Sequence, residues 1–462
     1  MKVLFVSSEV YPYSKSGGLG DVAGALPQAL VKAGHEVLVV SPWYQTLKGA
    51  PMWIGDVAAP FDGGFSQVGV GTLERQGVRY AFVGHSQFQR GQLYGYPDDV
   101  KRFCLFSRAV PQVAERVGFR PEVVHANDWH SAYLPLILKD GWHLPAGFPG
   151  LACVYSIHNL QYQGVSELNA TLYWLRLPSS LKNSYLNHFG SANAMQGAIG
   201  FAEQVTTVSP SYAEEIQRPE YGYGLDGTLR HVSFKLRGIL NGLDTEVWDP
   251  SSDPNLPAPY SAGDLLGKQQ ARETLCERFG LGGGRPILGV VSRLVEQKGI
   301  DLVLKALPQL LGQGWSLVVL GSGEAWMEEA LRQAAARHPG QVGVVIGYDE
   351  QLAHLIYAGT DALAVPSRFE PCGLSQMIAM RYGTLPIARA TGGLKDTIIH
   401  DQDGFLFTHA NPEGLLWAAG QARRRYAEAR WEAMMERAMS KEFSWSRSAQ
   451  AYGEVYRLAW GG

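Results

Sequence analysis

The stretch Asp361–Thr397, DALAVPSRFEPCGLSQMIAMRYGTLPIARATGGLKDT, has the order of elements that is typical of a parallel β-sheet unit. The apolar run Ala362–Val365 predicts a strand, a loop follows, and a helix is predicted from Gly373 to Tyr382. A second apolar run, 385–388, predicts the next strand, and the Gly-Gly pair at 392–393 leads into another helix. Ligands bind open parallel sheets where strands end and helices begin, so this stretch contains two candidate binding junctions.

The first junction places a carboxylate next to a helix start, because Glu370 closely precedes Cys372 and Gly373. Backbone N–H groups at a helix start favour an anion. The second junction, at Gly392 and Gly393, offers another group of N–H donors that a ligand can approach closely, since glycine has no Cβ. The pattern predicts a site for a sugar beside its phosphates. The alternative is that Glu370 caps a helix and the glycines only form a turn.

Size and composition are those of a globular protein with two domains. The chain has 462 residues, more than one hydrophobic core usually supports. Hydrophobic residues make up 46% and charged residues 18%, which is ordinary for such a protein. A net charge of -3 without a basic block argues against nucleic acid or an anionic membrane as the main partner.

The cysteines and the N-terminus suggest a cytoplasmic location. The four cysteines are far apart and lack C-x-x-C spacing, so neither a zinc site nor a disulfide framework is predicted. The apolar start Met1–Ser8 is too short for a signal-peptide core and reads as a first strand. No apolar run approaches the roughly 20 residues of a membrane helix. We therefore expect a soluble, unprocessed protein.

The first half opens with a βαβ pattern: a strand at Val3–Ser7, a glycine-rich loop at Lys15–Gly20, and a helix from Asp21. The loop formally matches the dinucleotide fingerprint G-x-G-x-x-A. However, its glycines lie well beyond the strand, and the second strand ends in Ser41-Pro42 instead of an acid for the ribose, which argues against a nicotinamide cofactor. A flexible cation in such a loop, Lys15, is better suited to phosphate.

Polar residues follow two more predicted strands in the first half, and a substrate would lie at such strand ends. Asp128 follows the strand that contains His125, and His158-Asn159 follows the next. The group formed by His125, Asp128 and His130 raises the possibility of a metal. It matches no established ligand spacing, so hydrogen bonding or capping is the preferred interpretation.

The proline-rich stretch 249–260 reads as an extended linker. We predict an N-terminal domain over 1–243, a linker over 244–260, a second domain over 261–443, and a last helix over 444–462. Tyr452, Val455, Tyr456 and Ala459 fall on one face of that helix, which must be buried.

The second half alternates strands and helices, which predicts a second parallel sheet. Arg293 and Lys298 lie in one strand-to-helix loop, where they are either two cations aimed at one ligand or a solvated charged loop. Tyr348 follows the strand at 342–346. The acidic segment 401–404 resembles a metal-binding pair, but Asp-Gly before a short apolar run is more typical of a turn.

Several motifs, spread over nearly the whole chain, resemble those of bacterial glycogen synthases and plant starch synthases. Each is weak alone, and together they are specific. They are KSGGLGDV (15–22), HANDWH (125–130), IHNL (157–160), TTVSP (206–210), NGLD (241–244), SRL with QKG (292–299) and the opening stretch 361–397.

This resemblance implies two Rossmann-like domains facing each other across a deep cleft, the GT-B glycosyltransferase fold, with the C-terminal helix crossing back to the N-terminal domain. It implies transfer of glucose from ADP-glucose to the non-reducing 4-hydroxyl of an α-1,4-glucan such as glycogen, with retention of configuration. No metal or other cofactor is expected. The partners would be ADP-glucose and the glucan.

The resemblance also implies roles for individual residues. The catalytic groups would be Glu370, His158, Lys298 and Arg293. The substrate-binding set would be Lys15, Gly17, Gly18, Asp21, Asp128, Asn159, Asn241, Tyr348, Cys372, Gly373, Leu374, Gly392 and Gly393. Lys15, Arg293 and Lys298 would hold the diphosphate, and Tyr348 would lie near the adenine. Asp128, His158 and Asn241 would line the glucose pocket.

Three other interpretations remain open. A transferase of the same fold could use UDP-glucose or another acceptor, as a sucrose-forming enzyme does. A catalytically silent glucan-binding protein is disfavoured because Lys15, Arg293, Lys298 and Glu370 are all present. A hydride-transfer enzyme is disfavoured by Ser41-Pro42.

Overall fold

The computed structural model describes residues 1–461 and divides the chain into two compact units. Unit 1 comprises Met1–Gly242 and the C-terminal segment from Trp445 onward, and unit 2 comprises Leu243–Ser444. Each unit has a largely parallel sheet and its own hydrophobic core, which confirms the prediction of two Rossmann-like α/β domains. Within residues 1–461, no helix has both the length and the apolar character to span a membrane.

Unit 1 contains a nine-stranded sheet in the order β12-β11-β7-β6-β1-β2-β5-β4-β3 and a small sheet in the order β8-β10-β9. In the large sheet β4 alone runs in the direction opposite to the other strands. Its central strand β1, KVLFV, is buried from its second residue onward because helices cover both faces. The strands are β1 (Lys2–Val6), β2 (Glu36–Pro42), β3 (Met52–Phe61), β4 (Gly64–Arg75), β5 (Val78–Gly84), β6 (Val123–Asn127), β7 (Ala152–Ile157), β8 (Val165–Glu167), β9 (Asn187–His188), β10 (Ser191–Asn193), β11 (Gln204–Thr207) and β12 (Leu236–Gly238). The helices are α1 (Gly18–Lys32), α2 (Asp99–Arg116), α3 (Leu134–Asp140), α4 (Leu168–Leu175), α5 (Ala194–Phe201), α6 (Pro210–Glu215) and α7 (Asp226–His231).

Unit 2 contains a six-stranded, fully parallel sheet in the order β15-β14-β13-β16-β17-β18. Its strands are β13 (Ile287–Val291), β14 (Ser316–Gly321), β15 (Val342–Ile346), β16 (Ala362–Val365), β17 (Leu385–Arg389) and β18 (Phe405–Phe407). Its helices are α8 (Leu266–Phe279), α9 (Ile300–Gly312), α10 (Ala325–Arg337), α11 (Glu350–Gly359), α12 (Ser375–Arg381), α13 (Gly392–Thr397), α14 (Pro412–Tyr426) and α15 (Arg430–Met439). The predicted strands at 362–365 and 385–388 agree with β16 and β17 within one residue.

Helix α12 begins two residues later than predicted. Gly373 has a φ of +74°, which lies in the left-handed region and cannot continue into a right-handed helix. The residues from Pro366 to Leu374 therefore form a longer loop above the sheet than the sequence pattern suggested.

Both large sheets have a topological switch point, where the strand order changes direction. In unit 1 the central strand β1 lies between β2 and β6, and in unit 2 β13 lies between β14 and β16. Loops that leave two such neighbouring strands turn to opposite faces of the sheet and open a crevice between them. In unit 1 these loops follow β1 and β6, and in unit 2 they follow β13 and β16.

The last helix, α16 (Trp445–Trp460), packs on unit 1, as predicted. The Tyr456 hydroxyl hydrogen bonds with His125 Nδ1 on β6 at 2.8 Å. The apolar face predicted from the sequence is buried in the core of unit 1 through Tyr452, Val455, Tyr456 and Ala459.

The predicted linker 244–260 belongs to unit 2 and is packed against it. The Trp248 ring stacks on His354 with centroids 4.0 Å apart, and Asp253 Oδ2 lies 2.6 Å from both His354 Nδ1 and the Tyr382 hydroxyl. The Tyr260 hydroxyl donates to the Tyr382 carbonyl at 2.8 Å. The stretch 249–260 is not extended: it forms turns and bends, and the Tyr260 N–H donates to the Pro250 carbonyl at 3.0 Å. Proline content does not reveal such contacts or partners that are distant in the sequence.

Candidate active site

Glu370 and Lys298 meet at the switch point of unit 2. Lys298 ends a short turn in the loop after β13, and Glu370 lies in the loop after β16. The Lys298 Nζ atom is 2.6 Å from Glu370 Oε2, and the Ser367 hydroxyl donates to the same oxygen at 3.0 Å. Glu370 is only 6% exposed, whereas the Lys298 side chain is 21% exposed. The arrangement presents a fixed carboxylate and an accessible ammonium side by side.

The two loops are tied together by contacts that sequence reasoning missed. Arg368 makes a bidentate pair with Asp301 in the first turn of α9, at 2.8 and 2.9 Å. The Arg368 backbone N–H donates to the Gln297 carbonyl at 2.8 Å, and the Gln297 side chain donates to the Phe369 carbonyl at 3.3 Å. Because bidentate Arg–carboxylate pairs fix geometry, this pair holds Lys298 against Glu370. The sequence gives no local signal for this pairing, because Arg368 and Asp301 are 67 residues apart.

Glycines bring the second predicted junction close to the first. The Gly393 N–H donates to the Glu370 carbonyl at 3.1 Å. A Cβ at Gly392, which has a φ of +45°, would lie 1.9 Å from that carbonyl oxygen, and a Cβ at Gly393 would lie 2.0 Å from the Cys372 carbonyl oxygen. Only glycine permits this approach. Gly392 and Gly393 therefore lie against the backbone of Glu370 and Cys372, which brings the two predicted junctions together.

The remaining predicted residues of unit 2 lie along the same edge of the sheet. Arg293 is exposed in the Lys298 loop, with Nη2 3.4 Å from Gln297 Oε1. Leu374 is partly buried at the N-cap of α12. Tyr348 follows the edge strand β15, two strands from β13, and is 87% exposed. The structure thus brings Glu370 and Lys298 into contact and leaves Tyr348 farther along the edge.

In unit 1 the glycine-rich loop that carries Lys15 follows β1, as predicted. The Lys15 Nζ atom is 2.7 Å from Asp21 Oδ1, and both side chains remain accessible, at 43% and 34% exposure. Gly17 is the N-cap of α1, and Gly18 is its first residue. This places a cation and a helix N-terminus, both of which favour phosphate, at the switch point of unit 1, with the Asp21 carboxylate as the partner of the cation.

Asp128, His158 and Asn159 form the other side of this switch point. Asp128 Oδ1 accepts hydrogen bonds from the backbone N–H groups of His158 at 2.7 Å and Asn159 at 3.2 Å. Asp128 has a φ of +54°, which is a strained backbone conformation for a residue other than glycine. Burial raises the pKa of Asp128 to about 7, and nearby Glu9 adds to the rise.

The His158 ring is neutral at pH 7 because burial lowers its pKa to about 4. Its Nε2 atom is 2.8 Å from Asn127 Oδ1, and the Asn127 amide nitrogen donates to the Val6 carbonyl. Asn127 Oδ1 must therefore be the acceptor, which puts the His158 proton on Nε2. Nδ1 then presents an acceptor lone pair.

Asn241 lies just beyond β12, and its Oδ1 is a buried atom without a hydrogen-bond partner in the described part of the chain. An unsatisfied buried oxygen of this kind calls for an explanation, and a ligand hydroxyl is one. The structure shows no contact between Asn241 and Asp128 or His158.

The possible metal sites have structural explanations. His125 uses both ring nitrogens, with Nε2 2.7 Å from the Ser156 hydroxyl and Nδ1 on Tyr456. Asp401 pairs with Arg425 at 2.8 Å, and Asp403 pairs with Lys441 at 2.6 Å. Within residues 1–461, no group of three His, Cys, Asp or Glu side chains is arranged to hold a metal ion.

Replacing Asp128 with asparagine should stabilise the protein in a pH-dependent way. The asparagine Oδ1 can accept both backbone N–H bonds, while the cost of burying a charge disappears. Because the folded-state pKa is about 7 and the unfolded value about 3.8, that cost is absent at low pH and grows as the pH rises from 4 to 7. At pH 8 the gain in unfolding free energy should be at most about 4 kcal/mol.

Thermal melting of both proteins between pH 5 and pH 8 checks this expectation. The midpoint of Asp128→Asn should exceed that of the native protein at pH 8, and the two should converge toward pH 5. A lower midpoint for the variant at pH 8 would contradict it. Activity should fall at the same time, since functional residues are commonly retained at a cost in stability.

Comparisons with known proteins agree with this architecture. Residues 2–231 match the family model of the starch synthase catalytic domain, and residues 271–423 match that of glycosyl transferases group 1. The structure of the catalytic domain of starch synthase IV from Arabidopsis thaliana, bound to ADP and acarbose, is similar with a TM-score of 0.91. It is 35% identical and covers 100% of this chain and 99% of its own.

Sucrose-phosphate synthase from Thermosynechococcus elongatus shares the fold, with a TM-score of 0.62 and 18% identity over 99% of this chain and 98% of its own. The fold and the two family models define a glycosyltransferase of the GT-B class. Glycogen synthases from Thermus thermophilus (49% identical, covering 100% of both chains) and Deinococcus deserti (48% identical, covering 99% of both) are similar along the whole length. The chain belongs to the glycogen synthase family, and it is a glucosyltransferase.

Proposed function

We propose that the enzyme transfers glucose from ADP-glucose to the non-reducing 4-hydroxyl of an α-1,4-glucan, with retention at the anomeric carbon. The observation that carries this proposal is the buried Glu370 carboxylate held 2.6 Å from the Lys298 ammonium at a switch point. A carboxylate accepts hydrogen bonds from sugar hydroxyls, and an accessible ammonium attracts phosphate. The pair therefore suits a sugar nucleotide. The ADP and acarbose bound to the Arabidopsis starch synthase support the proposal that this enzyme binds a nucleotide and a glucan.

Charge stabilisation is the main contribution of the site to the rate. ADP leaves with growing negative charge as the glucosyl bond breaks, and Lys15, Arg293 and Lys298 would hold the diphosphate. Fixed cations lower the barrier more than they tighten ground-state binding. Lys15 and Lys298 are each paired with a carboxylate, Asp21 and Glu370, so a phosphate would share or replace that partner.

We expect hydrogen-bond acceptors of each unit to bind glucose hydroxyls. Glu370 would accept from glucose hydroxyls, and neutral His158 would offer Nδ1. Asn241 would use its buried Oδ1 for a further hydroxyl. The backbone N–H groups of Cys372, Gly373 and Leu374 would help to fix the sugar and the adjacent phosphate. Tyr348 would lie near the adenine.

We further propose that no metal or other cofactor takes part, because lysine and arginine side chains supply the positive charge that the diphosphate needs. The reaction would occur in the cytoplasm, where the four cysteine thiols remain reduced.

Incorporation of labelled glucose into glycogen tests the proposal, with ADP-glucose and UDP-glucose assayed side by side in the presence and absence of EDTA. We expect strong incorporation from ADP-glucose that EDTA does not change. Preference for UDP-glucose would overturn the donor, and dependence on a metal would overturn the cofactor proposal. Incorporation from neither donor would favour a silent glucan-binding protein.

A further inference from the structure

Glu9 is a buried carboxylate at the centre of unit 1 to which the proposed reaction assigns no role. It lies three residues beyond β1 and is 3% exposed. Its Oε2 atom accepts hydrogen bonds from the backbone N–H groups of Ser16 and Gly17, the latter at 3.2 Å. Burial raises the pKa of Glu9, and these two bonds oppose the rise. Burying a carboxylate costs free energy, so its presence at this position needs an explanation.

The Glu9 backbone is itself fixed. The Ser7 hydroxyl donates to the Glu9 carbonyl at 2.8 Å, and the Tyr44 hydroxyl donates to the preceding carbonyl, that of Ser8, at 2.8 Å. Tyr44 is fully buried, so it forms a rigid support beneath this segment. The backbone of Glu9 is thus fixed by hydrogen bonds, and its carboxylate faces the loop that carries Lys15.

The glycine-rich loop that carries Lys15 packs closely against the Glu9 carboxylate. A Cβ at Gly20 would lie 3.0 Å from Lys15 Cγ and 3.4 Å from Glu9 Oε2. The Gly20 carbonyl accepts from the Tyr11 N–H at 3.0 Å. The stem of Lys15 therefore runs beside the carboxylate and the start of α1, while its ammonium remains accessible.

Asp128 has the same arrangement on the neighbouring strand. Glu9 follows β1 and accepts from two successive N–H groups, those of Ser16 and Gly17. Asp128 follows β6, which pairs with β1, and accepts from two successive N–H groups in the loop that carries His158. In both cases an acid at a strand end fixes the loop that bears a predicted substrate-binding group.

We propose that Glu9 is a positioning residue: by holding the N–H groups of Ser16 and Gly17, it keeps the glycine loop in the conformation that presents Lys15 to the donor diphosphate. This inference rests on the proposed function, in which Lys15 contacts the diphosphate. Without Glu9 the loop would have to be ordered when the donor binds, and small misplacements of a group that acts on the transition state are costly.

A double-mutant cycle between Glu9 and Lys15 tests the proposal. The proteins are the native enzyme, Glu9→Ala, Lys15→Ala and the double variant, assayed for kcat/KM with ADP-glucose. We expect Glu9→Ala to lower kcat/KM by about 10- to 100-fold. We expect the double variant to be no worse than Lys15→Ala, since Glu9 acts through Lys15. Fully additive losses, or a Glu9→Ala enzyme with native kcat/KM, would overturn the proposal.

Glu9→Gln separates positioning from charge. Its single carbonyl oxygen can accept both N–H bonds, so its kcat/KM should stay within about threefold of the native value. A loss as large as that of Glu9→Ala would overturn the positioning role. If circular dichroism shows that Glu9→Ala is unfolded, Glu9→Asp, which cannot reach the loop as well, takes its place in the cycle with the same expectations.

Failure of the proposed function can be told apart from failure of this inference. If the native enzyme does not use ADP-glucose, the function is wrong. The same cycle is then measured as the affinity for ADP by titration calorimetry, where coupling between Glu9 and Lys15 supports the positioning role and its absence overturns it.

Discussion

The Glu370→Gln variant should fold normally and lose about 10²- to 10³-fold in kcat. Glutamine has the same shape, but it removes the negative charge that faces Lys298 at 2.6 Å and the strong acceptor for glucose hydroxyls. The loss should appear in kcat more than in KM, because these interactions strengthen as charge develops in the transition state. Steady-state kinetics with ADP-glucose and glycogen, together with the melting midpoint, provide the measurement.

A matched control is Glu277→Gln, an exposed glutamate on the surface of α8. It makes the same chemical change away from the switch point and should leave kcat unchanged. If Glu370→Gln retained more than a third of native kcat, Glu370 would have no role in the reaction, and the carboxylate would serve only to anchor Lys298.

The Gly392→Ala variant should lose at least about 10²-fold in kcat/KM. The added Cβ would lie 1.9 Å from the Glu370 carbonyl oxygen, at a residue whose φ of +45° already disfavours alanine. Because the clashing atom is a backbone carbonyl oxygen, the loop that carries Glu370 must move, and the Glu370 carboxylate moves with it. The melting midpoint should fall as well, since local strain of this kind destabilises the folded state.

Gly283→Ala is the matched control for this change. Gly283 lies in the exposed loop between α8 and β13, where an added Cβ has no neighbour within 4 Å. It should keep native activity and stability. Equal behaviour of the two variants would show that the close approach of Gly392 to Glu370 has no functional importance.

Local patterns were sufficient to predict the elements around Glu370. The apolar runs, the Gly-Gly turn and the loop cations are all short-range features, and the strands at 362–365 and 385–388 lie where the sequence places them. The contact between Lys298 and Glu370 needed one more fact, namely that β13 and β16 are neighbours. Sheet order depends on long-range packing, which periodicity does not encode.

The residues that were missed have partners far away in the chain or at an irregular turn. Arg368 pairs with Asp301, which is 67 residues away in the sequence. Glu9 follows a strand without any motif of its own, and its role depends on how the glycine-rich loop that carries Lys15 folds back. The proline-rich stretch 249–260 likewise has partners far away in the chain, since Asp253 contacts His354 and Tyr382. The predicted roles of the site residues stay predictions until the variants are measured.

The return of α16 to unit 1 has a consequence for synthesis of the protein. Ribosomes deliver the chain from the N-terminus, so unit 2 can complete its core from one continuous segment before α16 appears. Unit 1 is started first and completed after unit 2, because Tyr452 and Tyr456 fill its core only once the chain beyond unit 2 has been made. During that interval His125 lacks its tyrosine partner and the helix-binding face of unit 1 is exposed to water. The nascent N-terminal unit is therefore the part of the enzyme most in need of chaperone protection.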